Sequence, residues 1–186
     1  MGMMSDFNVA EPVPVETVDP SDVAQALDFT WALRWNGNDV RARLCVRGFN
    51  QRINDVDDTF ASTPVLCILK LLLVLALAKG WSLFTYDITT AFLHASLNPE
   101  DPPIYVWPPK EYFPPGTIIW RLLKAVYGLR TAPRDWQDHF SQVMELMNFI
   151  RLKSDGNVYI NLLLQVIILA YVDDLFILAS LQGFPQ

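Results

Sequence analysis

Two adjacent carboxylates in the tetrapeptide Tyr171-Val172-Asp173-Asp174 are the first candidates for chemistry in this 186-residue sequence. They lie between two apolar runs, residues 162–170 and 175–179. Runs of this length are typical of buried strands, and an acidic pair between them predicts a tight hairpin turn. Adjacent carboxylates repel each other, and a divalent cation relieves that repulsion. Oxygen ligands favour Mg²⁺ or Mn²⁺, although an Asp pair is also ordinary turn chemistry.

Asp87 is a third candidate carboxylate, at the end of a strand predicted over residues 81–88. Two-metal nucleotidyl transfer needs carboxylates from separate strands that converge on ions roughly 3.5–4 Å apart. A strand that ends at Asp87 beside a hairpin tip with Asp173 and Asp174 meets this need. We therefore expect these strands, together with a strand over residues 118–123, to share one antiparallel sheet. From the residues alone, nucleotidyl transfer and metal-dependent hydrolysis both stay open.

Arginine residues form a second candidate site on a hairpin predicted over residues 29–49. Its second strand carries Arg41, Arg43 and Arg47, and Arg41 and Arg43 share one face because they are two residues apart. Planar guanidinium groups with several donors suit phosphate groups. A run of bases is equally typical of a solvated strand face, so both interpretations stay open at this point.

The elements that must position these residues follow from hydrophobic periodicity and turn residues. The helix over residues 65–79 is apolar on most sides, which predicts that it is buried. The expected elements, in chain order, are an acidic, Pro-containing linker without fixed structure over residues 1–27, strands over 29–35 and 40–49 about a turn at 36–39, a helix over 65–79 closed by Gly80, the strand over 81–88, a short helix or turn over 89–97, strands over 104–107 and 118–123, and a helix over 133–147.

Composition favours a folded domain and gives little support for a nucleic-acid partner. Hydrophobic residues make up 52% of the chain, which is enough for a sizeable core. Residues 1–33 hold six of the 20 acidic residues and no Lys or Arg, so they carry the net charge of −6. The other 14 acidic residues balance the 14 basic ones, and the body of the chain is neutral.

Neither cysteine chemistry nor a membrane span is predicted. Cys45 and Cys67 have no metal-binding spacing and are typical of reduced thiols. Residues 162–181 are long enough to cross a bilayer, but Asp173 and Asp174 at their centre make insertion very costly. No membrane partner is therefore expected.

Several sequence blocks together resemble the reverse transcriptase of Ty1/copia-type retrotransposons. Each block alone is weakly specific, but their number and order are highly specific. The resemblance covers roughly residues 29–179. The blocks, in order, are RARLCVRGFNQ at 41–51, TFASTP at 59–64, GW at 80–81, YDITTAFLH at 86–94, IYVWPP at 104–109, LKAVYGLRTAPRDW at 123–136 and YVDD at 171–174.

The resemblance implies an α+β fold, namely the fingers and palm of a right-hand polymerase. The palm is an antiparallel sheet with helices packed on one side. The implied domain runs over residues 28–180, between the acidic linker at 1–27 and a tail at 181–186, and the thumb is absent. The implied activity is RNA-directed DNA polymerisation by two-metal nucleotidyl transfer, and the alternative is a catalytically inactive fragment or decayed copy of that domain.

The resemblance also assigns roles to individual residues. Phe92 matches the position that excludes a 2′-hydroxyl, although a plain core Phe fits the sequence almost as well. Thr131 departs from the family, which usually has Gln there, and its shorter side chain weakens the nucleotide contact. The implied metal ligands for Mg²⁺ or Mn²⁺ are Asp87, Asp173 and Asp174, supported by Tyr171 and Val172, and the implied nucleotide contacts are Arg41, Arg43, Arg47, Phe92 and Thr131.

The partners implied by the resemblance are an RNA or DNA template with its primer, deoxynucleoside triphosphates, and the integrase and RNase H regions of the Pol polyprotein. The implied location is the cytoplasm, within a virus-like particle, with the nucleus as the alternative. Because the thumb is expected to lie outside the chain, we expect metal binding without efficient polymerisation by these residues alone.

Overall fold

The computed structural model of the protein describes residues 7–37, 39–51, 61–109, 114 and 116–180, except the side chains of Asn36 and Arg41. Predictions for residues 1–6, Asn38, residues 59–60 and the tail at 181–186 lie outside these residues. The helices and strands, in chain order, are β1 (Ala10–Pro14), α1 (Pro20–Gln25), β2 (Leu27–Asn36), β3 (Asp39–Val46), α2 (Leu66–Lys79), β4 (Ser82–Asp87), β5 (Tyr105–Trp107), β6 (Ile118–Leu122), α3 (Ala132–Leu146), β7 (Ile150–Arg151), β8 (Val158–Asn161), β9 (Val166–Tyr171) and β10 (Asp174–Ala179).

The first of two compact units contains the described residues of Met1–Phe60 and Phe92–Trp136. Its five strands form a sheet in the order β1-β6-β5-β2-β3. Strands β2 and β3 pair antiparallel, which confirms the predicted hairpin. The fully buried Val106 and Ile119 lie on neighbouring strands of this sheet and belong to its core.

Residues 10–14 form a strand and residues 20–25 a helix, so the prediction of an unstructured linker over residues 1–27 is wrong for residues 10–25. Strand β1 pairs antiparallel with β6 at the edge of the sheet, a position that tolerates Pro12 and Pro14. Helix α1 begins with Pro20, and the Asp19 carboxylate caps it by accepting a hydrogen bond of 2.8 Å from Ser21 N. The prolines were interpreted as breakers, whereas an edge strand and a helix start both accept them. The proposed domain boundaries at 28 and 180 stay a prediction.

The second unit contains the described residues of Ala61–Ala91 and Gln137–Gln186. Its five strands form a sheet in the order β4-β10-β9-β8-β7, and every neighbouring pair is antiparallel. Helix α2 packs on this sheet through Leu72 and Ala76, and the core includes Leu169 and Leu178. A mixed α and β fold is therefore confirmed, with an all-antiparallel sheet in the second unit, whereas the sheet of the first unit also contains the parallel pair β2–β5.

Two strand predictions for this sheet need correction. Strand β6, predicted to share the sheet of Asp87, belongs to the sheet of the first unit. The strand predicted over residues 162–170 begins at Val166, because residues 162–165 form an exposed turn that joins it to the unpredicted strand β8. The first error arose because long-range pairing leaves no local signal in the sequence. The second arose because the turn residues Leu162, Leu163 and Leu164 are as apolar as the strand that follows them.

Helix α2 is only partly buried, so the prediction of a buried helix is wrong. Leu72 and Ala76 face the core, whereas Leu66, Leu71, Val74 and Leu77 are exposed. A helix with apolar residues all round carries no periodic pattern that marks the covered face. Its predicted end is confirmed, because Gly80 adopts a left-handed conformation with φ +63°. No helix within the described residues combines the length and apolarity that a membrane crossing requires.

The two faces of α2 are expected to respond differently to truncation. Leu72, 6% exposed, should lose about 2–5 kcal/mol of unfolding free energy on substitution by Ala, because a cavity opens in the core. Leu77→Ala is the matched control, and at 84% exposure it should cost less than about 0.5 kcal/mol. Urea unfolding of both variants measures the difference, and equal losses would contradict the placement of α2.

Candidate active site

Asp87 and Asp174 lie directly opposite each other on neighbouring strands of the second unit. Asp87 ends β4, Asp174 begins β10, and the strand register pairs them. Ile88 N donates a hydrogen bond of 2.8 Å to Asp173 O, so the adjacent Asp87–Asp174 pair is of the non-hydrogen-bonded type. In such pairs the Cα atoms lie roughly 4.5 Å apart and the side chains share a face. Both residues are exposed, so the structure brings two of the three candidate carboxylates together in contact with solvent.

Asp173 occupies the tip of the hairpin that joins β9 to β10. The register pairs Tyr171 with Asp174, which leaves Val172 and Asp173 as a two-residue turn. Val172 has φ +54°, and a branched side chain at positive φ costs about 1–3 kcal/mol. Positive φ at the first central residue is typical of the tight turns that connect twisted strands. The predicted hairpin turn is therefore confirmed, and a strained residue fixes the backbone beside Asp173.

The donor set at this hairpin consists of carboxylate oxygens, which are ligands that Mg²⁺ prefers. Within the described parts of the chain, no three His, Cys, Asp or Glu side chains are grouped closely enough to hold a metal ion. Mg²⁺ usually keeps several waters and binds one or two carboxylates together with substrate phosphates. The solvent-exposed Asp87–Asp174 pair, with Asp173 at the neighbouring turn, suits a partly hydrated Mg²⁺ better than an ion enclosed by protein ligands.

A cation and two aromatic rings stack in the first unit. The Arg43 guanidinium lies 5.2 Å from the centroid of the Tyr127 ring, and Tyr127 meets Phe92 edge-on at 5.0 Å. Phe92 is half-buried in a short helical turn over Ala91–His94, and Arg43 is exposed. Arg43 and Phe92 are predicted nucleotide contacts, and the Tyr127 ring, from the sequence block at 123–136, joins them because the fold brings these segments together. We call this group the Arg43–Tyr127–Phe92 stack.

The remaining predicted nucleotide contacts are Arg41, Arg47 and Thr131. Arg41 lies in β3 opposite Arg34, and its side chain is outside the described part of the structure. Arg47 was predicted to lie on the strand, but β3 ends at Val46, so this prediction is wrong. Arg47 N instead donates to Asp28 O, and the chain turns into a short helix at Gly48–Asn50. Thr131 is buried at the start of α3.

Two glycine-containing turns pack tightly and set the position of Tyr127. Val46 N donates a hydrogen bond of 2.8 Å to Tyr127 O. A Cβ added to Gly128, whose φ is +94°, would lie 2.0 Å from Val46 O, and one added to Gly48 would lie 2.0 Å from Gly128 O. Only glycine fits such a close approach of two backbones. This contact holds the end of β3 against the turn that carries Tyr127.

Comparison with known proteins assigns the chain to a family. Residues 17–183 match the family model of reverse transcriptase (RNA-dependent DNA polymerase). The chain is 32% identical over 149 residues to the retrovirus-related Pol polyprotein from transposon TNT 1-94 of Nicotiana tabacum, a match that covers 77% of this chain and 11% of that protein. It is 31% identical over 153 residues to the Pol polyprotein from transposon RE2 of Arabidopsis thaliana, covering 75% of this chain and 10% of that protein.

A further relative is named putative transposon Ty5-1 protein YCL074W, from Saccharomyces cerevisiae. It is 32% identical over 102 residues, a match that covers 50% of this chain and 30% of that protein. The chain thus spans about a tenth of the length of the two plant polyproteins that it matches. The carboxylates of the second unit and the Arg43–Tyr127–Phe92 stack all lie inside the matched residues. The chain therefore belongs to the reverse transcriptase family, in its copia-type retrotransposon branch.

Proposed function

We propose that the chain is the metal- and nucleotide-binding core of an RNA-directed DNA polymerase, made as part of a Pol polyprotein. The observation that carries this proposal is the Asp87–Asp174 pair at the end of an antiparallel sheet, with Asp173 at the adjoining turn. In this proposal the first unit corresponds to the fingers and the second to the palm. Family membership and the names of the relatives support the polymerase assignment.

Asp87, Asp173 and Asp174 are proposed to hold Mg²⁺ or Mn²⁺. Bound metal would lower the pKa of the attacking hydroxyl and steady the leaving pyrophosphate. Asp87 and Asp174 repel each other across the strand pair, which favours a cation between them. Their exposure leaves the same face accessible to the phosphates of a nucleotide.

The Arg43–Tyr127–Phe92 stack is proposed to bind the incoming deoxynucleoside triphosphate. The exposed Arg43 guanidinium offers several donors in one plane, which suits phosphate oxygens. Tyr127 holds Arg43 by a cation–π contact and supports the Phe92 ring from its edge. Arg41, Arg47 and Thr131 stay predicted contacts of the same nucleotide. The proposed partners are a primed RNA or DNA template and the other regions of the polyprotein.

Primer extension on an RNA template tests the proposal. With Mg²⁺, incorporation that a chelator abolishes and that Asp87→Asn removes would support polymerase activity. Extension that persists in Asp87→Asn would contradict it. Binding of Mn²⁺ at the carboxylates with no extension by residues 1–186 would support the alternative of a fragment that is inactive by itself.

Phe92→Ala is expected to relax the choice of sugar. Removing the ring opens space at the 2′ position, so discrimination against ribonucleotides should fall about tenfold or more while deoxynucleotide use is largely retained. Competing ribo- and deoxynucleotides in primer extension measure the ratio. Phe92→Tyr, which keeps the ring, is the control and should discriminate as the parent does. Equal loss of both substrates in Phe92→Ala would show that Phe92 is only part of the core.

A further inference from the structure

A cavity of about 530 Å³ lies within the first unit. Its lining includes Thr131 but not Arg43, Phe92 or Tyr127. A volume of this size suits a small organic ligand, since ligand sites usually measure about 300–1,000 Å³. The cavity is therefore large enough to be a binding site separate from the Arg43–Tyr127–Phe92 stack.

Two buried polar atoms in the cavity wall lack a hydrogen-bond partner among the described residues: Asp135 Oδ2 and Thr131 Oγ1. The Asp135 side chain is 5% exposed, and its other oxygen accepts hydrogen bonds from Arg134 Nε at 3.1 Å and Nη2 at 2.8 Å. Burial raises the pKa of the Asp135 carboxyl above its ordinary value, while Arg134 and the nearby Thr131 hydroxyl act in the opposite direction. A buried acceptor without a donor is costly, so Asp135 Oδ2 favours a ligand that donates hydrogen bonds, and the Thr131 hydroxyl can accept one from the same ligand.

The charges around the cavity favour a cation. Its lining holds Asp22, Asp101 and Asp135 against Arg121 and Arg134. Both arginines already meet carboxylates of the chain: Arg134 lies 2.7 Å from Asp101, and Arg121 lies 3.1 Å from Glu11, which is outside the lining. Counting Glu11, four acidic side chains surround two basic ones, so a phosphate or carboxylate ligand would meet net repulsion. Ionised Asp135 can only accept hydrogen bonds, which also excludes an anionic ligand at Oδ2.

The remaining wall is apolar and suits the body of a ligand rather than its head. Pro99, Pro102 and Pro103 lie on one chain segment, and Leu122 and Tyr105 come from two strands of the sheet. Burying methylene groups against such side chains is favourable. A matching ligand has a hydrogen-bond-donating charged head and an apolar stem.

We propose that this cavity binds an organic cation of the alkyl guanidinium or alkylammonium class, with its head on Asp135 Oδ2 and Thr131 Oγ1 and its stem along the proline segment. The site uses neither the carboxylates of the second unit nor the Arg43–Tyr127–Phe92 stack, and it shares only Thr131 with the residues predicted to contact the nucleotide. Its test therefore does not depend on polymerase activity. The same head group occurs on free small molecules and on the arginine side chain of a partner protein.

Calorimetric titration of the full chain with butylguanidinium, a free alkyl guanidinium with a single charge, tests the site. Saturable binding in the millimolar range or tighter is expected, and butylurea, which keeps planar N–H donors without the charge, should bind about tenfold more weakly or worse. A blocked arginine amide forms a second arm. Tighter binding of butylguanidinium would assign the site to a free cation, and tighter binding of the amide to a partner's side chain. No saturable binding of either probe, or equal binding of butylurea, would overturn the proposal.

Three variants locate the binding, with circular dichroism to confirm that each is folded. Asp135→Asn and Thr131→Val should each weaken butylguanidinium binding, the first by about tenfold or more because a charged acceptor is lost. Asp22 is a half-buried carboxylate of the cavity lining, so Asp22→Asn should also weaken binding and keeps the test valid if Asp135→Asn fails to fold. Asp138→Asn, an exposed carboxylate on the same helix but outside the lining, is the matched control and should bind as the parent does. Unchanged binding in both Asp22→Asn and Thr131→Val would place any bound cation elsewhere and overturn the proposal.

Discussion

Asp174→Asn is expected to lower the affinity of the chain for Mn²⁺ by more than about tenfold. Removal of a residue that hydrogen-bonds to a metal ligand usually lowers the metal affinity about 10–100-fold. Asp174 is itself proposed as a ligand, so its loss should cost at least as much. Asn keeps the shape of the side chain and the strand pairing, so the loss reports the missing charge. Asp87→Asn should behave in the same way, because the two carboxylates face each other across β4 and β10.

The same substitution should lower RNA-templated extension by roughly a thousandfold wherever the chain is active, since metal stabilisation of developing charge is worth several kcal/mol. Mn²⁺ titration followed by water proton relaxation measures the affinity. Glu145→Gln removes an exposed carboxylate elsewhere in the second unit and is the control, with unchanged affinity expected. If Asp87→Asn and Asp174→Asn both bound Mn²⁺ like the parent, the hairpin would not be the metal site.

Gly128→Ala is expected to destabilise the first unit by roughly 2–5 kcal/mol. The added methyl group would lie 2.0 Å from Val46 O, and the backbone at φ +94° disfavours any side chain. Positive φ costs about 1–2 kcal/mol, and moving the packed backbone apart costs about 1–3 kcal/mol more. The variant should also loosen the contact between Arg43 and Tyr127, because the two turns would have to separate.

Gly37→Ala separates these two causes. Gly37 also has positive φ, +64°, but nothing lies within 4 Å of an added Cβ. Its substitution should therefore cost only the conformational part, about 1–2 kcal/mol. Urea unfolding of the two variants, monitored by tryptophan fluorescence, gives the comparison. Equal costs would mean that the approach of Gly128 to Val46 is not a tight contact.

Local elements could be predicted from the sequence because their signals are local. The turn residues at 36–39, Gly80 after an apolar helix and the acidic pair between two apolar runs each predicted a feature that the structure confirms. Six elements, α2, α3, β4, β5, β6 and β10, begin and end within one residue of the predicted bounds. The needs of a metal site predicted that the strands carrying Asp87 and Asp174 converge, and the strand register confirms that these two residues pair.

Features that depend on distant partners could not be predicted in this way. Strand β1 pairs with β6 across more than a hundred residues, and its prolines hid it. The uniform apolarity of α2 gave no indication that Leu77 faces solvent. The contacts of Tyr127 with Arg43 and Phe92 gave no signal in the sequence, since they arise only where β3 packs against the turn at Gly128. Asp135 became a candidate only when burial left one of its oxygens without a partner among the described residues.

Cleavage of the backbone by Fe²⁺ in place of Mg²⁺ tests the central claim most directly. Bound Fe²⁺ reduces added hydrogen peroxide to hydroxyl radicals, which cut the chain beside the ligands of the ion, and ascorbate returns the Fe³⁺ to Fe²⁺. The fragments therefore report the site without any need for polymerisation. We predict cuts near Asp87 and at the turn of Val172 and Asp173, suppressed by excess Mg²⁺ and absent in Asp174→Asn. Cuts confined to other carboxylates, or cuts at the hairpin that persist in Asp174→Asn, would contradict a metal site at this hairpin.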